Sequence, residues 1–195
     1  MMEQLFDYIN SYSPGGISKS DFEIVKSYFT HKRLRKRQYF LQEGEICKYF
    51  GFILSGAMRQ YTVDDKGKEY VVQLSIENWW VGDRESYTTS NPSIYNIDAW
   101  EDTELLLISR PRVLELLQRC PAFAETSRIM DERNSIASLK RLTTSISAGA
   151  EKRYLAFVSS YPDLVKRFPQ HIIASYLGVT KDTLSRIRRQ FLNNE

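Results

Sequence analysis

The sequence predicts an α+β protein in which a double-sheet jelly roll (a double-stranded β-helix) is followed by helices. Between residues 31 and 108, short runs of aromatic and β-branched residues alternate with turn signals, which is typical of an antiparallel roll. At Pro111 the hydrophobic period becomes helical, and a compact pair of helices follows near the end of the sequence. We therefore expect an effector-type domain over 1–120, a long helix over 121–149 and a helical domain over 150–195.

Two helices are expected before the roll. Residues 2–12 follow an amphipathic helical pattern, which Ser13-Pro14-Gly15-Gly16 ends. Ser18 or Ser20 is suited to cap a second helix that runs through Phe29.

About eight strands are expected in the roll. The clearest strand patterns cover 40–42, 49–54, 58–63, 69–76, 94–99 and 104–108. The densest basic run of the chain, at 32–37, precedes them. We interpret this run as a solvated strand with Leu34 turned inward, and the alternative is a second surface that contacts phosphates.

A long helix follows the roll. No glycine or proline interrupts the sequence between Pro121 and Gly149, which predicts about 28 helical residues, or ~42 Å. Its apolar stripe has a heptad-like spacing, with polar interruptions at Glu132 and Thr143. The stripe can pack on the chain's own roll or on a second copy, and we favour a homodimer. The expected interface residues are Ile129, Ile136, Leu139, Leu142 and Ile146.

Composition and residue counts disfavour several classes of function. With 42% hydrophobic and 26% charged residues the composition is ordinary for a globular protein, and no apolar run approaches the ~20 residues of a membrane span. The first residues lack the pattern of a signal peptide, so we expect a cytoplasmic protein without a membrane partner. Two cysteines and two distant histidines, His31 and His171, leave no metal-ligand cluster, and no catalytic motif occurs. We expect no catalytic residue, no metal and no certain cofactor, which disfavours a cupin-like enzyme.

Residues 169–189 have the spacing of a helix-turn-helix. Gly178 stands where a helix needs a left-handed residue just past its end, and Thr180 is suited to cap the next helix. Leu184 and Ile187 then fall on one buried side, and Ala174 is small enough to let the two helices approach closely.

The exposed face of the second helix suits DNA. Residues 166–190 contain six bases and one acid, a net charge of +5, whereas the whole chain carries +3. Arg186 can donate two hydrogen bonds to guanine, and Asp182 can accept one from cytosine or orient Arg186. Thr180, Thr183 and Arg189 are placed for phosphates. The candidate DNA contacts are Gln170, Thr180, Lys181, Asp182, Thr183, Ser185, Arg186 and Arg189. The alternative is a helical hairpin that docks on a protein.

In order and spacing, five motifs of the chain resemble those of the Crp/Fnr superfamily of bacterial transcription regulators. The motifs are FLQEGE at 40–45, FILSG at 52–56, Gly82-Asp83, AWEDTELLLI at 99–108, and the tail at 169–189. The resemblance implies a homodimer whose recognition helices enter successive major grooves of double-stranded DNA, about 34 Å apart. It also implies an effector pocket, and RNA polymerase as a further partner.

The chain departs from the family in its effector pocket. In members that bind cyclic AMP, a Gly-Glu pair leads to an Arg-Ser pair whose arginine balances the phosphate. Here the second pair falls near Ser93-Ile94 and the arginine is missing, with Arg84 as a nearby substitute. We therefore predict that cyclic AMP does not bind in the usual way. The pocket candidates are Gly82, Asp83, Arg84, Glu85, Ser86 and Ser93, for an effector that the sequence does not identify.

Two further expectations follow from the comparison with the family. The cysteine cluster of the iron–sulfur branch and well-placed axial ligands for haem are missing from the sequence. Because Glu195 comes soon after the recognition helix, we expect most of the family's terminal β-hairpin wing to be absent. The alternative function is a small-molecule sensor module that acts through protein partners.

Overall fold

The computed structural model describes residues 2–192. Within that range the helices are α1 (Met2–Tyr12), α2 (Lys19–Tyr28), α3 (Arg84–Thr89), α4 (Arg110–Arg119), α5 (Pro121–Ser147), α6 (Ala150–Ser160), α7 (Pro162–Arg167), α8 (Gln170–Tyr176) and α9 (Lys181–Leu192). The strands are β1 (Thr30–Leu34), β2 (Tyr39–Leu41), β3 (Tyr49–Ser55), β4 (Met58–Val63), β5 (Glu69–Ser75), β6 (Trp80–Val81), β7 (Asn96–Ala99) and β8 (Thr103–Ser109).

The strands form two antiparallel four-stranded sheets, which confirms the expected α+β class with a jelly roll. The first sheet has the order β1-β8-β3-β6 and the second β2-β7-β4-β5. Alternate side chains on β3 and β8 point to opposite faces, so Ile53 and Leu105 lie between the sheets while Phe52 and Leu106 face outward. Leu34 is buried between the sheets, as expected for the basic strand β1.

Helices cover the outer face of the first sheet. Ser18 caps α2 by accepting a hydrogen bond from the Asp21 amide at 3.0 Å, so the first of the two expected caps is the one used. The apolar faces of α1, α2, α4 and the first turns of α5 meet Phe52 and Leu106 in one core. The N-terminal helices therefore complete the roll.

The C-terminal helices cover the outer face of the second sheet. Leu74 and Tyr61 share a core with Phe157, Phe168 and other apolar residues of α6 to α9. Residues 2–192 thus form three apolar cores: one inside the roll and one on each of its outer faces.

Several short elements were not expected from the sequence. Helices α3 and α7 have six residues each and β6 has two, which is too short for a hydrophobic period to be recognised. Strand β7 begins at Asn96, later than the pattern at 94–99 indicated, and Ile94 is exposed. The expected absence of a wing concerns residues 193–195, which lie outside the described residues. Within 2–192, no helix is both long and apolar enough to cross a membrane.

Candidate nucleic-acid interface

The turn between α8 and α9 has the geometry that the sequence predicts. Gly178 has a φ of +66°, the left-handed conformation that glycine adopts without strain. Its amide donates to the Ser175 carbonyl at 3.0 Å, and the Val179 amide donates to the Ala174 carbonyl at 3.0 Å. These two bonds are those of a Schellman motif, which ends α8 and satisfies its last carbonyls. Ala174 is buried, so α9 can pack closely against α8.

Helix α9 is amphipathic in the expected sense. Thr180 caps it by accepting a hydrogen bond from the Thr183 amide at 3.1 Å. Leu184 and Ile187 are buried against the neighbouring helices. The opposite face carries exposed Lys181, Asp182, Arg186 and Arg189, of which the last three are spaced i, i+4, i+7 and so share one face.

The remaining predicted DNA contacts lie around the same helix. Gln170 is the half-buried first residue of α8. Thr183 and Ser185 are half-buried on α9, and Thr180 is exposed at its start. Among residues 2–192 no ion pair joins Asp182 to Arg186, so the exposed guanidinium is not held by this carboxylate.

Two of the six bases counted in the C-terminal region serve other roles. Lys166 pairs with Asp163 at 2.9 Å on the surface of α7. Arg167 lies between two carboxylates of the roll, donating to Glu101 at 2.5 and 2.9 Å and to Glu77 at 3.1 Å. The hydrogen bonds that Arg167 donates to Glu101 and Glu77 raise the pKa of its guanidinium above the ordinary value, although its partial burial opposes them. Of these six bases, the ones left to bind an external polyanion are therefore those of α9.

Further polar contacts fix the C-terminal helices on the edge strand β5. Ser175 accepts a hydrogen bond from the Val71 amide at 3.0 Å and donates to the Glu69 carbonyl at 3.1 Å. Arg141 of α5 donates to the Val72 carbonyl, and its guanidinium stacks 4.1 Å from the ring centroid of Tyr176. The sequence gave no signal for these contacts, because each joins residues at least 35 positions apart.

A buried ion-pair cluster lies on the same outer face of the roll. Arg59 on β4 is 8% exposed and donates to both carboxylate oxygens of Asp98, at 2.9 and 3.0 Å. Its Nη1 and Nη2 atoms donate to the Glu69 carboxylate, and its guanidinium lies 4.2 Å from the Tyr61 ring centroid. Burial alone lowers the pKa of Arg59, but the two carboxylates outweigh it and hold the pKa above its ordinary value. Sequence reasoning missed this cluster because its members come from three strands.

The predicted effector pocket begins where β6 leads into α3. Gly82 has a φ of +151°, and a side chain there would meet the Phe50 ring at 2.9 Å, so only glycine fits. The Asp83 carboxylate is buried and accepts hydrogen bonds from the Glu85 and Ser86 amides, at 3.0 and 3.4 Å. An acidic side chain thus already occupies the amides at the start of α3, where a phosphate would be expected to bind.

The other pocket candidates are also engaged within the chain. Ser86 accepts a hydrogen bond from the Cys47 amide at 2.9 Å and donates to the Asn91 carbonyl at 2.5 Å. Buried Ser93 binds the backbone of Tyr95 through its hydroxyl. Arg84 points away to Asp131 of α5, at 2.5 Å. Glu85 is exposed on α3.

An aromatic side chain fills the space next to these residues. Tyr87 of α3 is buried inside the roll, packs edge-to-face on Phe50 at 4.6 Å between ring centroids, and donates to the Ile108 carbonyl at 3.4 Å. A separate cleft of about 480 Å³ lies at the turn between β2 and β3. Its lining is formed by Phe40, Leu41, Gly44, Glu45, Ile46, Cys47, Lys48 and Tyr49, none of which belongs to the predicted pocket.

The predicted dimer residues divide into two groups along α5. Ile129 lies in the first half of the helix and is half-buried. Beyond it, the apolar stripe is exposed, with 55% of Ile136, 66% of Leu139, 56% of Leu142 and 78% of Ile146 accessible. An apolar stripe of this size on a helix is unusual unless something covers it. The part of the chain that the structure describes also contains no group of three His, Cys, Asp or Glu residues that could hold a metal ion.

Comparison with known proteins identifies the class of the roll and finds relatives that are similar over most of the chain. Residues 31–120 match the family model of the cyclic nucleotide-binding domain, so the roll belongs to that class. The chain is 23% identical over 184 residues to the transcriptional activator protein Anr of Pseudomonas protegens, which covers 89% of this chain and 73% of Anr.

Solved structures share the architecture over most of the chain. The global regulator CLP of Xanthomonas campestris, described as responsive to c-di-GMP, superposes with a TM-score of 0.72 at 13% identity, covering 91% of this chain and 93% of CLP. FixK2 of Bradyrhizobium japonicum superposes with a TM-score of 0.67 at 17% identity, covering 85% of each chain. The match of the roll and the similarity to Anr over most of the chain agree with the resemblance of its motifs to those of the Crp/Fnr superfamily. Anr is named as a transcriptional activator and CLP as a global regulator of gene expression.

Proposed function

We propose that the protein is a sequence-specific regulator of transcription that binds double-stranded DNA through α9. The observation that carries this proposal is the exposed cationic face of α9, behind which Leu184 and Ile187 anchor the helix. The Schellman turn at Gly178 and the cap at Thr180 fix α9 against α8, as a helix-turn-helix requires. We place this activity in the cytoplasm, on genomic DNA, with RNA polymerase as a further partner.

In this proposal Arg186 reads bases, because the five donors of its guanidinium match the two acceptors of guanine in the major groove. Lys181, Asp182 and Ser185 lie in the first turns of α9, beside it. Gln170, Thr180, Thr183 and Arg189 contact phosphates, which set the register without reading sequence.

We further propose that two copies pair through the exposed stripe of α5. Ile136, Leu139, Leu142 and Ile146 form the centre of that interface, and Ile129 lies at its end. Pairing would remove from water the apolar surface that the single chain leaves exposed, a contribution of about 25 cal/mol per Å². A twofold axis along α5 would then set two α9 helices against two half-sites of one operator.

In this proposal the protein does not bind cyclic AMP in the usual way. The arginine that would balance a phosphate is missing near Ser93-Ile94, and the nearby Arg84 pairs with Asp131 instead. We therefore expect no binding of cyclic AMP at micromolar concentrations in isothermal titration calorimetry. A dissociation constant in the micromolar range would contradict this part of the proposal. Any effector has another chemistry or another place in the roll.

The test of DNA binding compares two arginines of α9. We expect Arg186→Ala to weaken binding to a selected operator by about 1–3 kcal/mol and to reduce the preference for that operator over a scrambled duplex. Arg189→Ala should weaken binding to both duplexes alike, because a phosphate contact carries no sequence information. Fluorescence anisotropy at a fixed salt concentration measures both. If the wild type binds neither duplex, the protein-docking alternative replaces this proposal.

A further inference from the structure

One side chain in the second half of α5 is bonded to the helix-turn-helix. Between residues 134 and 144, Arg141 is the one α5 side chain that hydrogen-bonds to another element within residues 2–192. The hydroxyl of Thr144 bonds instead to a carbonyl of α5 itself, at 2.8 Å. The contacts of Arg141 therefore link the exposed half of the long helix to the C-terminal helices.

Arg141 contacts two elements at once. Its Nη1 atom donates to the Val72 carbonyl of β5, and its Nη2 atom donates at 3.3 Å to the Tyr176 carbonyl at the end of α8. The guanidinium also stacks 4.1 Å from the ring centroid of Tyr176. A planar guanidinium with several donors can make these three contacts together, because its donors lie in one plane and its face remains free to stack.

A β-bulge makes the Val72 carbonyl available to Arg141. Gln60 of β4 pairs with Gln73 of β5, and the next residue of β4 pairs with Val71, so Val72 has no partner on β4. A bulge of this kind interrupts the ladder of hydrogen bonds and leaves the extra residue unpaired. Strand β5 is also the last strand of its sheet, so no strand among residues 2–192 covers it from the other side. The roll thus offers an acceptor next to α5.

The contact with Tyr176 continues into the helix-turn-helix. The Tyr176 ring lies 5.4 Å from the ring centroid of Phe157 on α6, which is buried. Tyr176 is also the last residue of α8, two positions before the Schellman turn at Gly178 that leads to α9. Because this turn fixes α9 against α8, the position of Tyr176 determines the position of α9.

Arg141 lies on the side of α5 that faces away from the proposed pairing surface. At 3.6 residues per turn, about 140–160° around the helix axis separates it from Ile136, Leu139 and Ile146. In a dimer, α5 would therefore contact the second copy with one side and the helix-turn-helix of its own chain with the other. The separation of the two α9 helices then depends on both contacts.

We propose that Arg141 is a positioning residue that fixes α9 relative to the pairing surface of α5, and thereby sets the half-site spacing that the dimer accepts. This inference rests on the proposed function, in which two copies pair through α5 and each α9 reads one half-site. Arg141 itself contacts no DNA. It acts through Tyr176, by limiting the rotation of the helix-turn-helix against α5.

A fixed separation of the two α9 helices has a consequence for recognition. A dimer whose α9 helices are held in place binds one spacing well, because little freedom is lost when both half-sites are occupied. A dimer whose α9 helices can rotate binds that spacing more weakly and tolerates other spacings better. Spacing preference therefore reports on Arg141 separately from the stability of the fold.

The test compares Arg141→Gln with Lys140→Gln. Lys140 is exposed and forms no ion pair within the described part of the chain, so its substitution removes the same charge from the adjacent position. Each protein is titrated in fluorescence anisotropy with a selected operator and with two duplexes in which one base pair is inserted or deleted between the half-sites. One base pair turns a half-site by about 34–36° relative to the other. A duplex with a single half-site is measured in parallel.

We expect the wild type and Lys140→Gln to prefer the selected operator over both altered duplexes. For Arg141→Gln, the ratio of the affinities for the selected and the altered duplexes should fall about tenfold, as expected for the loss of a hydrogen bond from a charged group. Binding to the single half-site should match the wild type, because Arg141 lies away from the DNA in this proposal. The dimer dissociation constant in analytical ultracentrifugation should also match.

The results that would overturn the inference are distinguishable. Wild type that binds no duplex, or that binds all three spacings equally, removes the proposed function and this inference together. A spacing preference that Arg141→Gln keeps to the same degree as Lys140→Gln removes this inference alone. If Arg141→Gln no longer pairs, or loses binding to the single half-site as well, Arg141 supports the fold of α5 or of the helix-turn-helix and has no positioning role.

Discussion

The ion pairs of Arg167 join the C-terminal helices to the roll. Its guanidinium contacts Glu101 and Glu77, which lie 66 and 90 positions earlier in the chain. Glu77 also accepts a hydrogen bond from the Gly56 amide at 2.8 Å, so this carboxylate connects β3, β5 and α7. The side chains of Arg167, Glu77 and Glu101 are each about one-third exposed. Their ionisation should therefore affect the stability of the folded chain, in which the C-terminal helices are docked on the roll.

The Glu77 carboxylate makes that stability dependent on pH. Burial raises the pKa of Glu77, but hydrogen bonds and charge from Arg167 outweigh it and place the pKa below its ordinary value of 4.5. A carboxylate with a lowered pKa stabilises the folded state above its ordinary pKa, and the contribution is lost as the pH falls through the lowered value. We expect Glu77→Gln to reduce the melting temperature at pH 7, and the difference from wild type to shrink below pH 4.5.

Differential scanning calorimetry between pH 3 and pH 7 measures this difference. Asp65→Asn, in the exposed hairpin loop, removes a carboxylate that forms no ion pair among residues 2–192 and serves as the control. A difference between Glu77→Gln and wild type that is the same at pH 3 and pH 7 would rule out the ionised Glu77 as its source.

Residues differ in how far the sequence predicts their roles. Gly178 and Thr180 are predictable, because each role depends on partners within five positions along the chain. Arg167 and Arg59 are not, since their partners come from distant elements and a count of charge cannot separate a neutralised arginine from an exposed one. The interface on α9 stays a prediction, and the basic count over 166–190 overstated the free charge because Lys166 and Arg167 form ion pairs.

At the scale of elements, α5 has two halves with different surroundings. Phe123 and Thr126 are buried against α1 and α4, so the first turns belong to the roll. From residue 131 to residue 143 every side chain is exposed, although apolar residues recur on one side. The second half of α5 therefore exposes an apolar stripe to water. A second copy of the chain would cover this stripe.

Leu139→Asp tests this stripe. Burying a leucine contributes about 1.5–3 kcal/mol, and a symmetric dimer loses two of them, so we expect the dimer dissociation constant to rise at least ~100-fold. Asn134→Asp adds the same charge to the other side of α5 and should leave the dimer intact. Analytical ultracentrifugation of both variants measures the equilibrium. A wild type that stays monomeric at micromolar concentrations would contradict the proposed pairing.

The elements that escaped prediction are short and polar. Helix α3 reads RESYTT, which contains no apolar period, and it is fixed by its Asp83 cap and by Tyr87 inside the roll. Helix α7 begins at Pro162, but its six residues are too few to distinguish a helix from a turn by sequence. The long elements, α5 and the pairs of strands around turns, were predicted because their patterns extend over many residues.

At the scale of the whole molecule, the roll is covered on both outer faces by helices from opposite ends of the chain. The core on the second sheet is shared by β4, β5 and α6 to α9, so the C-terminal helices are docked on the roll rather than tethered to it. The sequence did not predict this docking, which depends on Trp79 and Trp100 meeting Tyr161 and Phe168. In this arrangement α9 remains exposed at the edge of the molecule.

The central claim is that two such chains, paired through α5, read a twofold-symmetric DNA sequence with α9. The most direct measurement is selection of bound fragments from randomised duplexes, followed by sequencing, for wild type and Arg186→Ala in parallel. We expect wild type to enrich a palindrome whose half-sites lie about 34 Å apart. Arg186→Ala should enrich this palindrome less, or should lose the base preference at one of its positions. Wild type that enriches no sequence, or an Arg186→Ala variant that enriches the same palindrome equally well, would contradict the account.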